Sequence, residues 1–251
     1  MRLSVWRSSC ANLSVFLCNA RTSTAETTLI SVPRARWPVW LAPLTVSRYS
    51  RTFCVSATRR AMNAVTVSPP SMEAAIIDPA DEAETLRDTI ESMGATLKYI
   101  LLTHGHRDHT LAAPALHEMF PDAAVYIHPA DKGQVGIYRY PMDELIGREL
   151  KFYDDGDTLP LGGLTIEVIT TPGHTGGSVC LRVGNALFTG DTLFAGSMGR
   201  IDLPGAQPDK MMSSLARLAK LPDGYDVYPG HMETTTMARE RQYNLYLKML
   251  Q

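Results

Sequence analysis

The chain has 251 residues, 45% of them hydrophobic, and a formal net charge of -2. That is enough apolar material for one large domain or two small ones, and the balanced charge gives no overall electrostatic case for nucleic acid or an anionic membrane. The longest apolar candidate, residues 37 to 46, is interrupted by Pro38 and Pro43 and falls short of the roughly 18 residues of a membrane-spanning helix. Four cysteines (Cys10, Cys18, Cys54 and Cys180) include no CxxC pair, which removes zinc-ribbon and dithiol redox readings.

Residues 1 to 61 stand apart, with nine arginines, no lysine and a single acid, Glu26. Arg-rich, Ser-rich and acid-poor is the composition of an organellar transit peptide. A disordered basic tail, translated sequence outside the true coding region, or a segment lending an opening strand to the fold fits the same residues. The expected division is therefore an atypical extension at 1–61 and a folded domain at 62–251. The expected compartment is the cytoplasm, or the mitochondrion if the extension is a genuine transit peptide.

From Met62 the pattern turns globular. Residues 64–67 and 74–77 read as short strands joined by Ser68-Pro69-Pro70-Ser71. Asp81 is placed to cap a helix over 82–93 that carries apolar residues at 83, 86, 90 and 93 and stops at Gly94. A buried strand follows at 98–102, then a helix over 111–120 ended by Pro121, then a strand at 124–127. Residues 129–158 are expected to form a short helix and a long surface loop. Strands resume at 164–170, 178–183 and 186–189, the last two joined by Gly184-Asn185. An amphipathic helix is predicted over 209–221 with Met212, Leu215, Leu218 and Ala219 inward, then a strand at 226–228 and a closing helix over 234–250.

Four of these strands end in a potential ligand. After the first comes Thr103-His104-Gly105-His106-Arg107-Asp108-His109-Thr110, which holds three of the chain's seven histidines. Later strands run into Pro172-Gly173-His174-Thr175-Gly176-Gly177, Thr189-Gly190-Asp191-Thr192 and Tyr228-Pro229-Gly230-His231. Neutral imidazole is the commonest nitrogen ligand for zinc, a carboxylate can bridge two ions, and glycine gives the sharp turn that aims a side chain over a sheet edge. Five histidines and two aspartates suffice for two metal ions sharing a carboxylate. His117 and His128 match none of these points and read as a helix-surface and a strand-end residue. Arg107 reads as a salt-bridge partner or a surface residue. Arg200 either holds an anionic part of a substrate or pairs with Asp202 or Asp191. Tyr138, Tyr140 and Tyr153 either line a pocket or pack.

HxHxDH, then GH in a glycine-rich turn, then GD, then GH, resembles the signature of the metallo-β-lactamase superfamily over residues 62 to 250. The resemblance implies an α/β fold, a four-layer αβ/βα sandwich with metals at one sheet edge. It implies that His104, His106 and His174 hold one metal, and that Asp108, His109 and His231 hold the second, with Asp191 bridging. Two Zn2+ per chain are expected, with iron or manganese as alternatives. Residues 193–202 and 234–244 are similar to those of small, single-domain glyoxalase II-like hydrolases. This implies a thioesterase acting on S-2-hydroxyacylglutathione or a related small thioester through a metal-bridging hydroxide, with Asp108 and Asp191 as its catalytic carboxylates. The implied partner is a small molecule, neither nucleic acid nor membrane. One departure is that larger glyoxalase II proteins have a C-terminal helical domain that helps bind glutathione, and a chain ending at Gln251 is expected to have no room for one. A persulfide dioxygenase using one iron on His104, His174 and Asp191 fits the same motifs. Dedicated lactamases fit less well, because of HxHxDH and the GD aspartate. The non-enzyme alternative is a metal-stabilised interaction protein, against which the complete ligand set argues.

Overall fold

The computed structural model describes residues 71–133 and 140–250 with side chains, and earlier strands by their backbone alone. The chain divides into two compact units, Met1–Pro38 and Val39–Gln251. In the first, β1 (Val15–Cys18) pairs antiparallel with β2 (Thr27–Ile30).

The second unit opens with three strands, β3 (Trp40–Val46), β4 (Arg51–Ser56) and β5 (Asn63–Ser68), each antiparallel to the next. β6 (Glu73–Ile77) pairs with β5, then helix α1 (Ala83–Ser92) returns the chain to β7 (Thr96–Leu101), parallel to β6. Ala83, Leu86 and Ile90 recur at helical spacing and are buried, and Gly94 ends the turn at φ 61. Asp81 does not cap this helix: its carboxylate accepts from the adjacent Glu82 N–H, and Glu82 sits at the cap position in a left-handed conformation. A side chain spent on its neighbour cannot reach the second or third helical N–H that a cap must satisfy.

A one-turn helix α2 (Arg107–Thr110) then starts inside the histidine-rich stretch, followed by α3 (Ala113–Met119) and β8 (Ala124–Ile127). The expected long loop at 129–158 is broken up by a 3-10 turn at Pro129–Asp131, helix α4 (Met142–Leu145), a second 3-10 turn and strand β9 (Lys151–Phe152). Tyr153 packs: it is buried, stacks on Tyr126 at 5.9 Å and donates to Leu102 O. Tyr140 donates to Leu111 O, and Tyr138 lies outside the described residues. The first sheet runs β3-β4-β5-β6-β7-β8-β9.

The second sheet begins with β10 (Thr158–Leu161), β11 (Leu164–Thr170), β12 (Val179–Val183) and β13 (Ala186–Gly190) as an antiparallel meander. A small hairpin, β14 (Leu193–Phe194) with β15 (Ser197–Met198), leads to α5 (Pro208–Leu218), which buries Met211, Ser214, Leu215 and Leu218, with Met212 and Ala219 partly buried against the same core. β16 (Asp226–Pro229) lies parallel to β13, and β17 (Thr235–Thr236) closes the sheet. The expected single closing helix is two, α6 (Met237–Tyr243) and α7 (Leu245–Lys248), broken at Asn244, whose side chain accepts from Tyr246 N–H and Leu247 N–H.

Strand alternation fixes the layers. Ala75, Ile77, Tyr99 and Leu101 turn inward to meet Leu161, Ile166, Val168, Leu181 and Phe188 of the second sheet. Ala74, Ile76, Ile100, Val125 and Ile127 turn outward onto Leu86, Ile90 and Leu116 of the helices. On the far side Ile169, Cys180, Leu187 and Val227 cover Met211, Leu215, Leu218, Met237 and Leu247. The result is helices, sheet, sheet, helices. Among the described residues no helix is long and apolar enough to cross a membrane.

Candidate metal centre

Five loops meet where strands of the two sheets end. β6 runs into Asp78, β7 into His104, β11 into His174, β13 into Asp191 and β16 into His231. Val179 N–H to Thr103 O at 2.9 Å joins the two sheets here, while Asp78 N–H to Leu101 O at 2.9 Å and Gly230 N–H to Gly190 O at 2.8 Å tie neighbouring strand ends within each sheet. His106 is the last extended residue before α2, and the turn that follows carries Asp108 and His109 back towards His231. Gly190 and Gly230 are among the glycines required by close approach. A side chain on Gly190, already at φ 45, would occupy the space of the Thr103 hydroxyl, and one on Gly230 would occupy that of the Asp191 carboxylate and His109 ring.

The seven anticipated residues fall into two groups. His104, His106 and His174 are all buried and form the first, with His106 Nδ1 2.9 Å from His174 Nε2. Asp108, His109 and His231 form the second, with His109 Nε2 and His231 Nε2 3.2 Å apart and Asp108 Oδ2 3.5 Å from His231 Nε2. Asp191 lies between them: its Oδ2 is 3.3 Å from His174 Nε2 and 3.4 Å from His231 Nε2, and its Oδ1 is 3.4 Å from His109 Nε2. Bonds of about 2.0–2.1 Å to a tetrahedral ion put ligand atoms roughly 3.3 Å from one another. These spacings match that figure.

Hydrogen bonds fix the ring tautomers. The Thr103 hydroxyl has one proton, which goes to Asp78 Oδ2 at 2.6 Å, so it must accept from His104 Nδ1–H at 3.1 Å. His174 Nδ1–H donates to Arg200 O at 2.7 Å, and His109 Nδ1–H to Asp78 Oδ2 at 3.0 Å. In each neutral ring the lone pair is thereby left on Nε2, the ligand form. His104 Nε2 is buried without a hydrogen-bond partner, a cost that a cation would relieve. The residues present therefore fit metal ions. Asp78, His104 and His109 also cluster within ligand distance. The Asp78 carboxylate, however, already accepts from Thr103 N–H, the Thr103 hydroxyl and His109, so it acts as an orienting group.

Charge divides the two groups. Burial, reinforced by neighbouring histidines, pushes His104 well below its ordinary pKa and His106 to about 4. Burial also opposes the charged form of His109, but Asp191, Asp78 and Asp108 outweigh it and raise His109 to about 9. His231 is raised in the same way, burial being outweighed by Asp191. Asp191, although buried, is held at about 2 by His109, His231 and His174. Its carboxylate stays ionised between the groups.

A family model described as the metallo-beta-lactamase superfamily matches residues 59–231. The chain belongs to the metallo-β-lactamase superfamily. It is 35% identical over 184 residues to hydroxyacylglutathione hydrolase GloC of Haemophilus influenzae, covering 69% of this chain and 87% of that protein. Among solved structures it is similar to BLEG-1 B3 metallo-β-lactamase, at TM-score 0.66 and 30% identity, covering 76% of this chain and 96% of that one. It is also similar to ETHE1 from Myxococcus xanthus, at TM-score 0.64 and 28% identity, covering 76% and 80%. The expected four-layer fold is that of this superfamily of hydrolases.

The remaining candidates lie elsewhere. Arg200 is exposed and pairs through two nitrogens with Asp202 at 2.7–2.8 Å. Arg107 is exposed. His117 meets Glu149 at 2.6 Å, and His128 Nδ1 accepts from Ala130 N–H at 3.1 Å. Sequence reasoning passed over Asp78 and the carbonyl of Arg200. Asp78 shares the signal of the other four points, a strand running into a potential ligand, but lacks the glycine.

Proposed function

We propose that this hydrolase is a glyoxalase II-like thioesterase that cleaves S-2-hydroxyacylglutathione or a related small thioester. Two ions, zinc in the first instance, would be held by His104, His106 and His174 and by Asp108, His109 and His231, with Asp191 shared between them. The observation that carries the reading is the pair of donor groups joined by one ionised carboxylate. When bound, the ions lower the pKa of coordinated water towards neutrality and polarise a carbonyl. The chain's own residues supply the rest. Asp78, Thr103 and the Arg200 carbonyl hold three imidazoles in the tautomer that can ligate. The first group is sealed from solvent, whereas the Asp108 and His231 side chains keep 43% and 29% of their exposure. A thioester carbonyl therefore enters from the second group's side, where Asp108 orients the attacking water. A thiolate leaves without general-acid help, which suits a site whose other acids are committed, Asp78 to hydrogen bonds and Asp191 between the two donor groups. Arg200 can take a substrate carboxylate by exchanging it for Asp202. The hydrolase occupies residues 62–251.

The test is to load the protein with zinc, iron or manganese and to assay S-lactoylglutathione hydrolysis, thiol-dependent oxygen uptake and β-lactam cleavage side by side. Thioester hydrolysis that His106→Ala abolishes is the expected result. One iron per chain with oxygen uptake and no thioesterase activity would replace this reading with a persulfide dioxygenase held by His104, His174 and Asp191, the reading to which the ETHE1 likeness lends weight. Lactam cleavage alone would replace it with a lactamase. Full turnover in His106→Ala would refute the site.

A further inference from the structure

Asp131 is a buried carboxylate that belongs to neither donor group. It ends the 3-10 turn that follows β8 in the first sheet. Its Oδ2 accepts from Gly105 N–H at 3.0 Å and from the Thr175 hydroxyl at 2.6 Å, and its Oδ1 accepts from Gly177 N–H at 2.8 Å. All three partners are donors, so the ionised acceptor-only form is the one this pocket satisfies. The nearness is strict on one side: a Cβ on Gly177 would lie 2.6 Å from Asp131 Oδ1.

The origin of those donors matters more than their number. Gly105 stands between His104 and His106, on the loop leaving the first sheet. Thr175 directly follows His174, on the loop leaving the second, and Gly177 is two residues further on. Asp131 thus ties the two strand-end loops that must converge for His104, His106 and His174 to share an ion. None of its hydrogen bonds reaches the α2 turn or the His231 loop, where the second group is built. Asp78, the other buried orienting carboxylate, serves both groups: it orients His109 directly and His104 through the Thr103 hydroxyl.

We propose that Asp131 is a positioning residue for the first ion, setting the separation of the His104–His106 loop from His174. This inference rests on the reading that these three histidines ligate. Ligand atoms must be held to within about half an ångström of the productive geometry, and each of these loops leaves a different sheet. Removing outer-shell partners of this kind lowers metal affinity by about 10–100-fold.

The experiment uses the full-length chain loaded with Co2+, whose absorption bands report each ion's surroundings, and competes the ions away with a chelator series. His174→Ala marks which ion belongs to the first group. Asp131→Asn is expected to loosen that ion at least about tenfold and to shift its bands, leaving the second within about twofold. Asp78→Asn, which bears on His109 directly and on His104 through Thr103, should loosen both ions and is the unselective comparison. Thr175→Val, which removes one of the three donors and spares the carboxylate, should give a smaller loss at the same ion, and it decides the matter if Asp131→Asn fails to fold. Wild-type affinity for both ions in Asp131→Asn overturns the proposal. So does an equal loosening of both ions that tracks a fall in melting temperature, the signature of a purely structural residue. A wild-type chain that binds no Co2+ at all would instead refute the ligand reading beneath it.

Discussion

The two donor groups are chemically alike in their imidazoles and unlike in their protons. Burial leaves His104 and His106 neutral at physiological pH, the latter with a pKa of about 4, so an ion entering there displaces no proton from either ring. His109, raised to about 9 by Asp191, Asp78 and Asp108 against the effect of burial, carries a proton that an ion must replace. The second ion should therefore bind with proton release at pH 7.5, and its affinity should climb as pH rises towards about 9. Calorimetry of Zn2+ binding in buffers of different ionisation enthalpy would measure this. Equal proton release for both ions would show that the charges are not divided in this way. The ion-free fold follows the same linkage. A histidine raised above its unfolded value of 6.5 stabilises fully below that pH and loses its contribution as pH climbs through about 9. The depressed His106 works in the other direction, costing stability as pH falls from 6.5 towards about 4. Stripping the ions should therefore leave a protein whose stability sags on both the acid and the alkaline side.

Among the elements, the C-terminal helices have a role beyond covering the second sheet. Glu240 on α6 is fully buried, and its Oε2 accepts from Gly196 N–H at 2.7 Å and from Asn244 Nδ2 at 2.9 Å. Its Oε1 accepts from the Thr235 hydroxyl and from Arg239. Asn244 also donates to Ser197 O at 2.9 Å. These bonds pin the β14–β15 hairpin, which packs Phe194 edge-on to His231 at 6.0 Å and leads to the Arg200 carbonyl that orients His174. Glu240→Gln turns one accepting oxygen into a donor facing donors. It should lower stability by about 1–3 kcal/mol, the cost of leaving buried partners unsatisfied, read as a shift in the urea midpoint; an unmoved midpoint would remove the clamp from the account. This arrangement also shows what could be read in the sequence. His104, His174, Asp191 and His231 were legible because each follows an apolar strand and, at three of the four points, a glycine. The Glu240–Gly196 bond was not, because it joins residues 44 apart and leaves no period or spacing behind. Nor was the break at Asn244, since an apolar pattern continues across it and only the side chain's hydrogen bonds reveal that one helix has become two.

For the whole molecule, the layer order was implied by the superfamily resemblance, while the sequence's own periods marked the individual strands and helices. Apolar residues alternate along β11 and recur at helical spacing along α1 and α5. The short strands β14, β15 and β17, two residues each, carry too little pattern to be seen. The N-terminal 61 residues pose the remaining question at this scale. Every donor, orienting carboxylate and clamp residue lies between Asp78 and Asn244, and the superfamily match begins at residue 59. β6 pairs with β5 on one side and β7 on the other, so the strand that delivers Asp78 keeps both neighbours in a chain that starts at Met62. Such a chain should keep the ion content and the thioester turnover of the full one. It should differ in solubility, because removing β3 and β4 turns β5 into an edge with unpaired N–H and C=O groups, a template for association. Ion content by elemental analysis and sedimentation at rising concentration would check both halves. Loss of the ions in soluble, folded protein starting at Met62 would show that the first sheet needs its outer strands to hold the centre in shape.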